Sequence, residues 1–167
     1  MRLTSFTEYS LRVLIYLGSH PEGHATITDI AASFGISEHH LVKVVHFLGK
    51  AGFLETIRGR QGGLGLALAA DAINVADVVR STEGPAMPAE CFNPETNTCS
   101  IVKICRLQGV FSEAVAAFYA VLENYTLADL VRNRQTLARI LFQPHPARVA
   151  EKRRRPGSPA SSASHRG

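Results

Sequence analysis

The sequence predicts a mainly α-helical fold with one small β-hairpin: a winged helix-turn-helix domain followed by a long helix suited to dimerisation. Three observations predict it. Two apolar stripes at helical spacing, Ile30/Ala31/Phe34 and Leu41/Val44/Val45/Leu48, are separated only by the tight turn at Gly35-Ile36, and helices joined so closely form a helix-turn-helix. Behind them, FLETIR and LGLAL flank the glycine-rich RGRQGG, the pattern of a β-hairpin. Further on, Phe111, Val115, Phe118, Leu122 and Tyr125 recur at spacings of 4, 3, 4 and 3, the stripe of a helix that packs lengthwise against another.

Taken in order, Ser5 with Glu8 reads as a capping box, and Phe6, Tyr9, Val13 and Leu17 then mark a first helix over residues 6–19. Thr28 caps a short second helix, DIAASF, which Gly35 ends. Ser37 caps the third, EHHLVKVVHFLGKAG. In the hairpin, Leu64, Leu66 and Leu68 alternate inward. Asn74 caps a fourth helix, VADVVRSTE, ended by Gly84. After the long helix, Thr126 with Asp129 starts another short one, and QTLARILF forms a last helix before Pro144. These marks divide the chain into a winged helix-turn-helix domain (1–84), a cysteine-bearing loop (85–108), a dimerisation helix with short C-terminal helices (109–142) and a disordered basic tail (143–167).

Composition limits what the chain can do. With 167 residues and 46% apolar content, it can bury one good core. The short apolar run at residues 13–17 follows Glu8 and Arg12 closely, and nothing approaches the roughly 20 apolar residues of a membrane span. A soluble, cytoplasmic protein with no membrane partner is expected. The net charge of +4 hints at nucleic acid, but from Arg148 onward the tail holds six Lys/Arg and one acid, leaving 12 bases against 13 acids in residues 1–147. Bulk basicity therefore supplies no DNA binding to the folded part, which must come from particular side chains.

Those side chains lie on the third helix and the hairpin tip. At about 100° per residue from Leu41, the side chains of His39, Lys43, His46 and Lys50 cluster on the side away from the core stripe, able to reach phosphates and base edges. Ser37 and His40 flank them at the start of the helix. At the tip, Arg58, Arg60 and Gln61 can enter a minor groove or grip phosphate. Each part alone fits an ordinary solvated surface. The order helix, helix-turn-helix, hairpin is far more specific, and it points to binding of double-stranded DNA, with a homodimer presenting two copies to adjacent major grooves.

All three cysteines, Cys91, Cys99 and Cys105, fall in CFNPETNTCSIVKIC. An odd number in a reducing compartment favours a metal or redox centre over disulfides. The C-x7-C-x5-C spacing lacks the close pair of most structural zinc sites and suits a larger iron-sulfur cluster, although a zinc staple stays open. There is no catalytic triad, no phosphate-cradling glycine loop and no tuned acid pair, so an enzyme is not expected.

MRLTSFTEYSLRVL, ITDIAASFGISEHHLVKVVHFLGKAGFLETIRGRQGGLGLA, the three-cysteine loop and AFYAVLENYTLADL together resemble the iron-sulfur winged-helix repressors of the NsrR and IscR group, over about residues 1–133. The resemblance implies a homodimer on palindromic promoter DNA, with a cluster, [4Fe-4S] or [2Fe-2S], held by the three cysteines. Members similar to IscR carry a histidine where this chain has Gln108, a poor iron ligand. Members similar to NsrR place an acidic residue of the first helix against the partner's cluster, and Glu8 stands at that position where aspartate is usual. The alternative for Glu8 is the cap with Ser5. On this resemblance the chain is expected to sense nitric oxide, with a reporter of iron-sulfur supply or redox state as the second reading and a structural-zinc transcription factor as the third.

Overall fold

The computed structural model describes residues 2–59, 62–85 and 87–142; Arg60 and Gln61 at the hairpin tip, and the tail from residue 143, lie outside the described residues. Among the described residues, seven α-helices and three short strands follow in the order α1 (Ser5–Ser19), β1 (His24–Ala25), α2 (Ile27–Phe34), α3 (Glu38–Lys50), β2 (Leu54–Ile57), β3 (Gly63–Leu66), α4 (Val75–Glu83), α5 (Leu107–Glu123), α6 (Leu127–Leu130) and α7 (Arg134–Leu141).

Two helix starts differ from the sequence reading. The N-cap of α1 is Thr4, whose hydroxyl accepts from the Thr7 amide, so Ser5 and Glu8 form no capping box. Glu8 falls one residue past the position that can reach back to the cap, and its carboxylate pairs instead with Arg12 one turn on. Helix α2 is capped by Thr26, not Thr28, because Thr26 and Asp29 complete a reciprocal capping box two residues earlier. Gly35 closes α2 at φ 65°, a left-handed conformation that suits glycine. Ser37 caps α3, accepting from the His40 amide. Asn74 caps α4 and Gly84 ends it, and Thr126 with Asp129 boxes α6.

The wing is a three-stranded antiparallel sheet in the order β1-β3-β2. Strand β1 was invisible to periodicity because two residues have none. It pairs Ala25 with Leu64, and Gly63 lies so near that a Cβ there would stand 2.7 Å from the Ala25 carbonyl oxygen. Only glycine lets the two backbones meet. Leu64 is buried and Leu66 half-buried, but Leu68 lies past the end of β3 and is 45% exposed, so the inward alternation stops with the strand.

The main core joins Val13, Leu14 and Leu17 of α1 to Ile30 of α2 and to Leu41, Val44 and Leu48 of α3. Each fully buried aliphatic side chain contributes roughly 1.5–3 kcal/mol. Leu127 of α6 and Val131 just after it lie beside Gly18 of α1, where an added Cβ would stand 3.4–3.6 Å from their side chains, and Arg134 at the start of α7 donates to the His20 carbonyl at 2.7 Å. A second cluster gathers Val75, Ala76 and Val79 of α4 with Tyr119 of α5.

The long-helix stripe read from sequence is used inside the protomer. Val115, Phe118 and Leu122 pack on that second cluster, and Tyr125 lies beyond the helix end, 48% exposed. A different stripe, Leu107, Val110, Ala114, Ala117 and Val121, faces outward along α5, with Leu107, Val110 and Val121 each more than half exposed.

Candidate nucleic-acid interface and cysteine loop

Helix α3 is anchored by the buried Leu41, Val44 and Leu48, with Val45 and Phe47 packed beside them, which turns its polar face outward. Ser37, His39, His40, Lys43, His46 and Lys50 are all exposed. His40 is also held from behind: its ring stacks on Tyr9 of α1 with centroids 6.4 Å apart. A groove lined by Ser5, Phe6, Tyr9, His40, Lys43 and Val44 runs where α1 meets α3, so Ser5 and Tyr9 border the exposed face of α3, which no spacing in the sequence reveals. Val42, 53% exposed between the polar positions, is a further residue passed over; an aliphatic side chain there can meet a thymine methyl. Arg58 is exposed at the end of β2, next to Gly59 at φ 120°.

The cysteine loop leaves α4 at Gly84 and rejoins helix at Leu107. Cys91 sits in a single 3-10 turn, Glu90–Phe92. Asn93 and Asn97 fold their side chains onto the amides of Glu95 and Cys99, both at 3.0 Å, the local turns that asparagine favours. Cys91, Cys99 and Cys105 are all free thiols and half-buried. Gln108 on the first turn of α5 donates its side-chain amide to the Cys91 carbonyl at 3.1 Å. That side chain holds the backbone of the first cysteine.

As a donor set, three free thiols on one loop suit iron, which soft thiolate ligands favour. They are not gathered into a finished site within the chain: among the described residues no three His, Cys, Asp or Glu side chains converge on a common ion position. Glu8 is half-exposed on α1 and paired with Arg12. The structure thus brings the exposed polar side chains of α3 together on one surface, and leaves the cysteines and Glu8 apart.

With that geometry in view, comparison with known proteins gives the class. The family model for Rrf2, described as an iron-dependent transcriptional regulator, matches residues 3–133, and the chain belongs to the Rrf2 family. Among its relatives are proteins named HTH-type transcriptional regulator NsrR, 48% identical in Halalkalibacterium halodurans and 45% in Bacillus subtilis, each over 84% of this chain and 97% of the relative. The fold is similar to CymR (YrzC), the global cysteine regulator of B. subtilis, at TM-score 0.65 and 31% identity over 80% of this chain and 98% of that one. It is also similar to T. potens IscR, at TM-score 0.63 and 28% identity over 80% and 88%. These relatives are transcriptional regulators and not enzymes. Among the described residues no helix is long and apolar enough to cross a membrane.

Proposed function

We propose that the protein is a homodimeric repressor that binds promoter DNA through α3 and the wing, and that an iron-sulfur cluster on Cys91, Cys99 and Cys105 makes this binding sensitive to nitric oxide. The observation that carries the reading is the set of three free, half-buried thiols on one loop, in a chain whose α3 exposes His39, His40, Lys43, His46 and Lys50 around Val42, with Glu38 at its start the one exposed acid of the helix. When bound, the cluster supplies iron that nitric oxide can ligate.

This chain's residues do the rest. The three thiolates tie the loop into one conformation, and their release frees the segment between α4 and α5. Gln108 spends its amide on the Cys91 carbonyl, which supports a carboxylate, Glu8 from the partner subunit, as the further ligand and makes the reporter of cluster supply the second reading. The outward stripe of α5 is where a second copy of the chain packs, since an apolar ridge along a helix of about 25 Å is stable in water only when covered. Lys43, His46 and Lys50 with Arg58 then meet phosphates and base edges in each half-site.

Operator binding by fluorescence anisotropy tests the reading, on wild type and Cys99→Ser, with and without nitric oxide. Wild type loses affinity on exposure, and Cys99→Ser, lacking the cluster, does not respond. A response retained by the cluster-free variant would sink the proposal.

A further inference from the structure

Glu83 is the last residue of α4, directly before Gly84 and the cysteine loop. Its Oε1 accepts hydrogen bonds from the N-terminal turn of α1: from the Thr4 amide at 2.7 Å, from the Thr4 hydroxyl at 3.0 Å and from the Thr7 hydroxyl. Thr7 is fully buried, and its Oγ1 also lies 2.8 Å from that of Thr82. Thr4 already caps the Thr7 amide, so helix capping does not require the carboxylate. What Glu83 adds is a charge-assisted bond between two helices, roughly twice as strong as a neutral one.

The same turn of α1 touches the DNA-facing helix. Phe6 meets Phe47 of α3 edge-on at 5.3 Å, and Tyr9 stacks on His40. One turn of helix therefore carries the clamp from the root of the cysteine loop, the carboxylate of Glu8, and the packing that seats α3.

We propose that Glu83 is a positioning residue that couples the root of the cysteine loop to α3 within one subunit, by way of Thr4 and Thr7 and then the Phe6–Phe47 and Tyr9–His40 contacts. The inference rests on the reading of the loop as the sensing element. A shift of the loop root pulls on the first turn of α1, and the ring contacts, above all the edge-on Phe6–Phe47 pair packed against the core, pass that displacement to α3.

The test uses the full-length chain carrying Glu83→Ala, Glu83→Gln, Thr7→Val or Thr7→Ser. Hydrogen exchange on the cluster-free protein reads the coupling with no metal present. Glu83→Ala is expected to speed amide exchange about tenfold or more in both residues 5–9 and residues 38–44. Glu83→Gln, which keeps an acceptor oxygen but not the charge, restores about half of the lost protection in free-energy terms. Thr7→Val gives the same pattern with smaller amplitude and Thr7→Ser none, which keeps the test decisive if Glu83→Ala fails to fold. Operator affinity is the second readout: the ratio between cluster-loaded and cluster-free protein falls toward one in Glu83→Ala and partly recovers in Glu83→Gln. Exchange that changes only next to the substituted residue, with 38–44 untouched, overturns the coupling, as does an unaltered affinity ratio. If wild type itself shows no such ratio, the sensing reading fails, and exchange at 38–44 still decides the coupling.

Discussion

Helices α3 and α5 are both amphipathic, yet α3 buries Leu41, Val44 and Leu48 to 1% exposure or less, whereas Tyr119 is the one α5 residue buried in the protomer. Their outer faces differ in kind: α3 offers lysine and histidine, α5 offers leucine, valine and alanine. A helix with a sealed inner face and a polar outer one is finished as a fold and free to meet a polar, anionic partner. A helix whose outer stripe is apolar is unfinished until something covers it. The cysteine loop belongs with α5: Ile101 and Ile104 beside its thiols are 54% and 83% exposed. The winged-helix half closes its own core, and the other half leaves apolar surface and its thiols accessible.

The contrast can be broken most severely in the finished half. Leu48→Ala removes a fully buried side chain and is expected to cost about 2–5 kcal/mol, read as a lower denaturant midpoint. In the unfinished half the same kind of insult should act on assembly. Val110→Glu, on the exposed stripe, is expected to yield folded monomers with protomer stability within about 0.5 kcal/mol of wild type, seen by sedimentation and circular dichroism. A Val110→Glu dimer that sediments unchanged would show that α5 is covered by something else.

A gentler change sharpens the role of α3. Lys43→Ala leaves the fold intact and is expected to reduce the salt dependence of operator binding by about one phosphate's contribution, with binding weakened on every sequence tested. The smallest effect is electrostatic. The amide and hydroxyl of Thr126 bond the Asp129 carboxylate, and together with nearby Arg132 they hold its pKa below the ordinary value. At Glu83 partial burial pushes upward, but the bonds from Thr7 and Thr4 outweigh it, and the net shift is again downward. Both groups therefore favour the folded state above the usual carboxylate pKa of about 4, and that contribution is lost as pH falls through their lower folded values. Asp129→Asn should flatten the acid limb of the stability profile, measured by urea denaturation between neutral pH and pH 3.

Much of this was legible in the sequence because it is local. Ser37, Asn74 and Thr126 announce their helices as caps, and the turn at Gly35 and the stripe of α3 are periodic patterns read one turn at a time. The two misplaced caps have different causes: Thr26 wins over Thr28 through its local capping box with Asp29, a pattern present in the sequence, whereas Thr4 and Ser5 are chemically equivalent and a tertiary contact favours Thr4. At α1 the choice is tied to Glu83, nearly eighty residues away. Strand β1 was too short to show a period, and the inward and outward stripes of α5 overlap so closely that sequence could not say which one the protomer keeps. The cysteines were conspicuous from the start, while the hydrogen bond from Gln108 to Cys91 depends on how the loop returns to α5.

The central claim is tested most directly by an anaerobic visible absorption spectrum of the purified protein, with iron and acid-labile sulfide analysis, before and after nitric oxide. The account predicts a brown protein containing both iron and sulfide whose visible bands bleach on exposure. A colourless protein with stoichiometric zinc and an unchanged spectrum would contradict it, making Cys91, Cys99 and Cys105 a structural staple.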